Sequence, residues 1–254
     1  MSASGKNNKD SVILIPLERT GNVMFQMAAV YSYCRDHSYT PCIDTSSNPC
    51  AASLNKFLGD PLREKKAHGL LMDYRSLNYL PIPDKKEWTC LRGWFQDRRF
   101  FLPHEEEIRE IFSPLTGVIE PGRVGIHLRL GDYLGSRFSK DYYTLSKRDI
   151  LRALEHMRVG EKDVITVFTD TPDLAHAFLP PGFAYAMDDA PDPFTLLRRM
   201  SSCEKLVASA STLSWWAAYL GRIPHVVAFT PWTKFHPQKE FPLPEWTVLE
   251  RSVR

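Results

Sequence analysis

The sequence is short of the features that build a disulfide scaffold, a zinc centre or a membrane anchor. Its five cysteines, Cys34, Cys42, Cys50, Cys90 and Cys203, are odd in number and include no Cys-x-x-Cys pair. That count and spacing argue against a disulfide framework and against a zinc site, and all five are expected to be reduced. Long apolar runs are missing too: no segment approaches the ~18 continuous apolar residues of a membrane span. The first ten residues, MSASGKNNKD, contain no apolar signal core and are expected to be frayed, so a cytoplasmic protein is expected. Neither sign of charge is in excess, with 32 basic and 30 acidic residues and a net charge of +2. This gives no reason for bulk attraction to nucleic acid or to a membrane surface. There is no GxGxxG and no GxxxxGK[ST], so neither a dinucleotide fingerprint nor a P-loop is present.

What remains is a soluble composition, 43% hydrophobic, 12% aromatic and 24% charged, over a length that suits one large domain or two ordinary ones. Val12 to Leu17 reads as a buried strand, Glu18 to Asn22 as a turn with Gly21 free to take positive φ, and Val23 to His37 as an amphipathic helix. Pro41 to Asp44 suits a short strand. Ser46 to Lys86 is irregular, its charged run Arg63-Glu64-Lys65-Lys66 reading as solvated surface. Trp88 to Asp97 reads as a strand entering a turn, and Glu105 to Phe112 as a short helix whose acidic first turn suits the dipole. Thr116 to Arg123, with Pro121-Gly122, is the expected junction between domains at 1–120 and 121–254. Beyond it, helices are expected at Lys147 to Met157, Pro172 to Phe178, Asp192 to Ser202 and from Trp215. Strands are expected at Asp163 to Asp170, Leu206 to Ala208 and, last, His225 to Phe229. This alternation predicts parallel sheets with helices on their faces.

The central stretch is Val124-Gly125-Ile126-His127-Leu128-Arg129-Leu130-Gly131-Asp132-Tyr133. His127 and Arg129, two residues apart on a strand, share a face. Arg129 offers a planar donor fork that matches phosphate, at the end of a strand where open α/β sheets place ligands. The plainer alternative is a paired arginine at a strand edge beside a structural histidine.

Five segments together resemble the inverting α-1,2-fucosyltransferases, within the wider α-1,2/α-1,6/protein-O fucosyltransferase group. Gly21-Asn22-Val23-Met24-Phe25-Gln26-Met27-Ala28 resembles GNQMFQYA, and Arg92-Gly93-Trp94-Phe95-Gln96 resembles the GYFQ segment. His127 to Tyr133 resembles HxRRGDY, and Phe168-Thr169-Asp170-Thr171 resembles FSDD. The segment from Asp192 through Ser211-Thr212-Leu213-Ser214-Trp215-Trp216 resembles DLxLMS…NSTFSWW. The resemblance implies an α/β fold of GT-B type, with two facing Rossmann-like domains and largely parallel sheets. It implies transfer of L-fucose from GDP-fucose to a glycan hydroxyl with inversion, GDP as product, and no cofactor or metal. The sequence agrees in having no Asp-x-Asp between apolar strands.

On this resemblance Arg129 neutralises the departing diphosphate, and His127 hydrogen-bonds the diphosphate or ribose unless it braces the strand. Asp170 meets the ribose, sets Arg129 or caps a helix. Asp192 accepts from guanine, caps its helix, or both. Ser211, Thr212 and Ser214 form a loop before a helix N-terminus, suited to phosphate oxygens. Trp215 and Trp216 are read as packing, while Asn22 and Gln26 line the cleft from the first domain, Asn22 as the sugar contact that joins the donor-binding residues. Asp132 is the nearest candidate base, or a brace for Arg129. One departure stands out: the family usually carries a second arginine where this chain has Leu130, a position that bears on the donor. GDP-rhamnose is the alternative donor, and a silent GDP- or glycan-binding protein the alternative class.

Overall fold

A computed structural model describes residues 11–252 apart from 77, 136 and 236–240. The ten polar residues expected to fray lie outside the described residues. The chain divides into two compact units between Phe112 and Ser113, not after residue 120. Residues 113–120 join the second unit because their backbone is spent there: the Gly117 amide donates to Ser201 Oγ (2.7 Å) and the Glu120 amide to the Ser202 carbonyl (2.8 Å).

In the first unit, β1 (Ser11–Leu14), β2 (Thr40–Ile43), β3 (Arg63–Glu64), β4 (Leu70–Tyr74) and β5 (Trp88–Gly93) form a sheet in the order β3-β2-β1-β5-β4. Every pairing is parallel. Helices α1 (Thr20–His37), α2 (Pro49–Phe57) and α3 (Glu105–Ile111) accompany it. β1 stops short of Leu17 because Pro16 has no N–H for a ladder. Leu17 is instead held by Gln26, which accepts from its amide (2.8 Å) and donates to its carbonyl (3.0 Å). α1 starts at Thr20, so Gly21 and Asn22 are helical; Glu18, with φ 67°, takes the left-handed turn expected of Gly21. The stretch read as irregular holds α2, β3 and β4. Its one local signal was Asn48-Pro49: Asn48 caps α2 by accepting from the Ala51 amide (3.0 Å), ahead of a proline in the first turn. β4 leaves Leu70 and Leu71 exposed at a sheet edge, so no apolar alternation announces it.

In the second unit, β6 (Glu120–Leu128), β7 (Val164–Thr169), β8 (Ala184–Met187), β9 (Cys203–Val207), β10 (His225–Thr230) and β11 (Thr247–Glu250) run in the order β11-β10-β9-β6-β7-β8. All these pairings are parallel. The connecting helices are α4 (Lys147–His156), α5 (Pro172–Ala175), α6 (Pro193–Ser201) and α7 (Thr212–Gly221). Pro121-Gly122 falls inside β6, at a break in its register with β9. β8 and β11 were not expected; β11, not β10, is the last strand. Val124, Ile126 and Leu128 of β6 pack with Ile150 and Leu154 of α4 in one buried cluster, so alternation turns Gly125 and His127 to the opposite face. Both units are thus parallel α/β sheets with helices, the GT-B-like fold expected.

The order of the second sheet decides where a ligand can sit. From β6 the chain builds β7 and β8 on one side, then returns to build β9, β10 and β11 on the other. Strands β6 and β9 are neighbours whose following loops diverge, the switch point at which open α/β sheets hold ligands.

Candidate functional site

His127 lies near the carboxyl end of β6 and is buried, and its Nδ1 is hydrogen-bonded at 2.7 Å to the hydroxyl of Ser209, just beyond β9. Burial, and then the neighbouring Arg129 charge, push its pKa down to about 3, against a smaller opposing pull from Asp170. The imidazole is therefore neutral at physiological pH and ties together the two strands of the switch point. This bond braces the strand, one of the two roles expected. Ser209 was not singled out from the sequence, although it directly follows the expected strand Leu206 to Ala208.

Arg129 is the first residue past β6. Its guanidinium meets Asp132 Oδ1 at 2.8 Å and Asp170 Oδ2 at 2.7 Å, so two carboxylates fix its plane. Asp170, past the end of β7, turns its other oxygen to the Leu130 and Gly131 amides, each 3.0 Å away. Burial raises the Asp170 pKa, but those two amides and the Arg129 charge outweigh it and hold the group below the usual carboxylate range. Asp170 thus sets Arg129 and is not a helix cap. Gly131 is required by proximity: a Cβ there would lie 2.7 Å from Asp170 Oδ2. Tyr133, also missed in the sequence, sits with its ring 5.8 Å from the Arg129 guanidinium carbon and donates its hydroxyl to the Ala210 carbonyl (2.8 Å). β6 and the loop that follows it are thereby fastened to the loop after β9 at two points, His127–Ser209 and Tyr133–Ala210.

The hydroxyl-rich segment differs from expectation. α7 begins at Thr212, so Thr212 and Ser214 belong to the helix and Ser211 is its N-cap, accepting from the Leu213 amide at 3.3 Å. Ser214 is fully buried, its hydroxyl directed at the carbonyls of Ser209 and Ser211 (3.1 Å each). It braces the turn and presents nothing to a phosphate. Ser211 and Thr212, half-buried at the helix start, stay beside the switch point. Trp215 and Trp216 are buried, and Trp215 donates to the Phe241 carbonyl (2.9 Å), which is the packing role expected. Asp192 caps α6, one oxygen accepting from the Phe194 (2.8 Å) and Thr195 (3.0 Å) amides and the other from the Thr195 hydroxyl (2.7 Å). Burial works against these bonds, but they prevail and lower its pKa.

Leu130 is fully buried in the apolar cluster that includes Leu128, Leu145 and Val167. Its side chain packs away from the face that carries His127, as strand alternation implied. In the first unit, Asn22 accepts from Gln96 Nε2 (2.9 Å). Gln26, expected to line the cleft from the first domain, is fully buried against Leu17 and is structural.

The model of glycosyl transferase family 11 matches residues 77–250. The chain belongs to glycosyl transferase family 11. An alpha-1,2-colitosyltransferase of Escherichia coli is 26% identical over 179 residues, covering 63% of this family 11 chain and 62% of that protein. The O-antigen biosynthesis glycosyltransferase WbnK of Escherichia coli is 21% identical over 198 residues, covering 69% and 65% respectively. The matches thus span a little under two thirds of the length of these relatives. Among solved structures, a mutant of Arabidopsis thaliana FUT1 in complex with GDP aligns with a TM-score of 0.50 and 10% identity, over 91% of this chain and 72% of that one. That likeness is one of fold.

Proposed function

We propose that the chain transfers L-fucose from GDP-fucose to a glycan hydroxyl in α-1,2 linkage, with inversion and without a metal. The observation that carries this reading is Arg129, held by Asp132 and Asp170 at the carboxyl edge of the β6–β9 switch point. A guanidinium has five N–H donors, and two carboxylates that fix its plane leave it able to meet diphosphate oxygens without reorganising. As the bond from the anomeric carbon to the diphosphate breaks, the electron pair departs on GDP, and a donor already in place stabilises that growing charge. The acceptor hydroxyl forms the new bond from the opposite face, and its proton passes to Asp132 or to water. Asp132 is otherwise engaged as the brace of Arg129. Neutral His127 holds the Ser209 loop, and Ser211 and Thr212 supply hydroxyls and a helix N-terminus nearby. Asp192 is the proposed guanine contact, and Asn22 a sugar contact.

The name of the Escherichia coli colitosyltransferase supports the α-1,2 linkage and favours one second reading, a GDP-deoxyhexose other than GDP-fucose. The buried position of Leu130 supports fucose, because the altered residue packs in the core. Among the described residues no helix is long and apolar enough to cross a membrane, and a cytoplasmic location is part of this proposal. Calorimetric titration with GDP, GDP-fucose, GDP-rhamnose, GDP-mannose and UDP-sugars, all in EDTA, tests the reading. Micromolar binding of GDP-fucose and none of UDP-sugars is the expected result. Binding of a different GDP-sugar alone would move the donor. Binding of GDP with no transfer to any glycan would leave a silent binding protein.

A further inference from the structure

The first unit has a switch point of its own. From β1 the chain builds β2 and β3 on one side, then returns so that β5 pairs with β1 on the other. At the carboxyl edge of these two neighbours, two side-chain amides meet: Gln96 Nε2 donates to Asn22 Oδ1 at 2.9 Å. Asn22 comes from the first turn of α1 and Gln96 from the segment just past β5. Both are half-buried, so neither is sealed in the core.

The backbone on both sides of this pair is strained. Glu18 (φ 67°) and Phe95 (φ 49°) are non-glycine residues in the left-handed region, a conformation that persists only where surroundings over-determine it and that clusters at ligand-binding sites. For Phe95 the surroundings are visible. Its buried ring stacks on Tyr74 (centroids 5.6 Å apart, planes 4° apart) and meets Phe100 edge-on at 5.3 Å. Gly93 makes room for this, since a Cβ there would lie 2.1 Å from the Tyr74 carbonyl oxygen and 2.7 Å from the Phe95 ring. For Glu18, the carbonyl accepts from Asn48 Nδ2 (3.1 Å), and its neighbour Leu17 is pinned by Gln26. Ending a strand needs no such strain. The residue it orients is the next one, Gln96.

An amide pair joined by one N–H···O bond leaves an NH₂ on one member and a carbonyl oxygen on the other, side by side. Turning both amides over exchanges which residue supplies which and leaves the pair unchanged. A neutral donor next to a neutral acceptor does not suit a phosphate or a carboxylate, which only accept, nor an ammonium, which only donates. It suits hydroxyls, which do both, and adjacent hydroxyls of a pyranose ring in particular.

We propose that Asn22 and Gln96 form a hydroxyl-binding pair for the acceptor glycan. The word acceptor rests on the glycosyl-transfer reading; the hydroxyl-binding chemistry does not. The test is saturation-transfer NMR of wild type, Asn22→Leu and Gln96→Leu with methyl β-galactoside, methyl β-glucoside and methyl α-mannoside, alongside calorimetry with GDP. Wild type is expected to hold at least one glycoside, and each variant to hold it about tenfold more weakly or worse, the scale of one hydrogen bond lost in a site. GDP affinity should stay unchanged, and each variant should remain folded. Should Gln96→Leu fail to fold, the isosteric Gln96→Glu, whose ionised carboxylate accepts from a turned-over Asn22 but offers no donor to a hydroxyl, provides the comparison. Glycoside affinity within twofold of wild type in the variants overturns the inference, as does a wild type that binds GDP but no glycoside. Loss of GDP affinity in step with the glycoside also overturns it, by making this a nucleotide site. Glycoside binding that the variants lose, in a protein that binds no nucleotide, would sink the transferase reading and leave the pair standing.

Discussion

Replacing Arg129 with alanine removes the cation that bridges Asp132 at 2.8 Å and Asp170 at 2.7 Å. At an effective dielectric of about 20, each contact represents roughly 6 kcal/mol of Coulomb attraction before desolvation. The three side chains are 19%, 22% and 27% exposed, so much of that attraction is offset by hydration they would regain. A net folding loss of about 1–3 kcal/mol follows. For a chain of this length it lowers the melting temperature by less than about 10 °C. The effect on reaction is larger. Without Arg129 the trio presents two negative charges to an arriving diphosphate instead of one, and no preorganised donor meets the charge that develops on it. Removal of such a donor costs about 100- to 1000-fold in turnover, or roughly 2.7–4 kcal/mol. Initial rates of GDP release at saturating donor and acceptor, measured on protein shown to be folded, check this. Arg129→Lys, which keeps the charge but cannot bridge both carboxylates in one plane, should fall between. Turnover within about threefold of wild type for folded Arg129→Ala, against the loss expected for an oxyanion donor, would refute the assignment.

Two further outcomes follow from the same geometry. The pKa of His127 drops from about 6.5 unfolded to about 3 folded, so between those values the unfolded chain binds a proton that the folded chain refuses. Its contribution is complete above about pH 6.5 and is lost as pH falls from there towards 3, by up to about 1.4 kcal/mol per pH unit. Urea midpoints measured across this range should show that slope in wild type and a shallower one in His127→Asn; equal slopes would count against a buried neutral imidazole. Gly131→Ala places a Cβ 2.7 Å from Asp170 Oδ2, and Asp170 is pinned by two amides and Arg129. Stability should drop by about 1–3 kcal/mol and activity by about tenfold or more as Arg129 shifts, checked by urea unfolding and initial rates. A neutral result would mean that Asp170 is free to move.

The sequence was most legible where structure is local. Val164 to Thr169 is a strand because β-branched and aromatic residues fill it and bury Ile165, Val167 and Phe168, and α4 is a helix because Ile150, Leu151, Leu154 and Met157 recur at helical spacing. Readings failed where a side chain replaced the expected backbone pattern. Leu17 is satisfied by Gln26 instead of a strand, so β1 is short and α1 early. Ser211 caps α7, so Thr212 and Ser214 joined the helix. β4 was hidden because an exposed edge strand needs no apolar alternation. Of the residues expected at the site, His127, Arg129, Asp132, Asp170 and Ser211 lie at the carboxyl ends of β6 and its neighbours β7 and β9, while Ser214 and Gln26 turned inward.

The amino-acid sequence by itself determined the alternation of strands and helices, the parallel sheets that alternation requires, and the run of motifs that marks the family. Those depend on side-chain periodicity and turn chemistry over a few residues. Only the tertiary structure decided which strands became neighbours. Ser209 meets His127 across 82 residues of chain, Asp170 reaches the Leu130 amide across 40, and Gln96 finds Asn22 across 74. The Ser209 and Gln96 contacts exist because the strand order turns at β6 and at β1, and the Asp170 contact because β7 pairs with β6. That turn is settled by which strand edges and helix faces can be buried together, a property of the whole packed sheet that no local stretch carries.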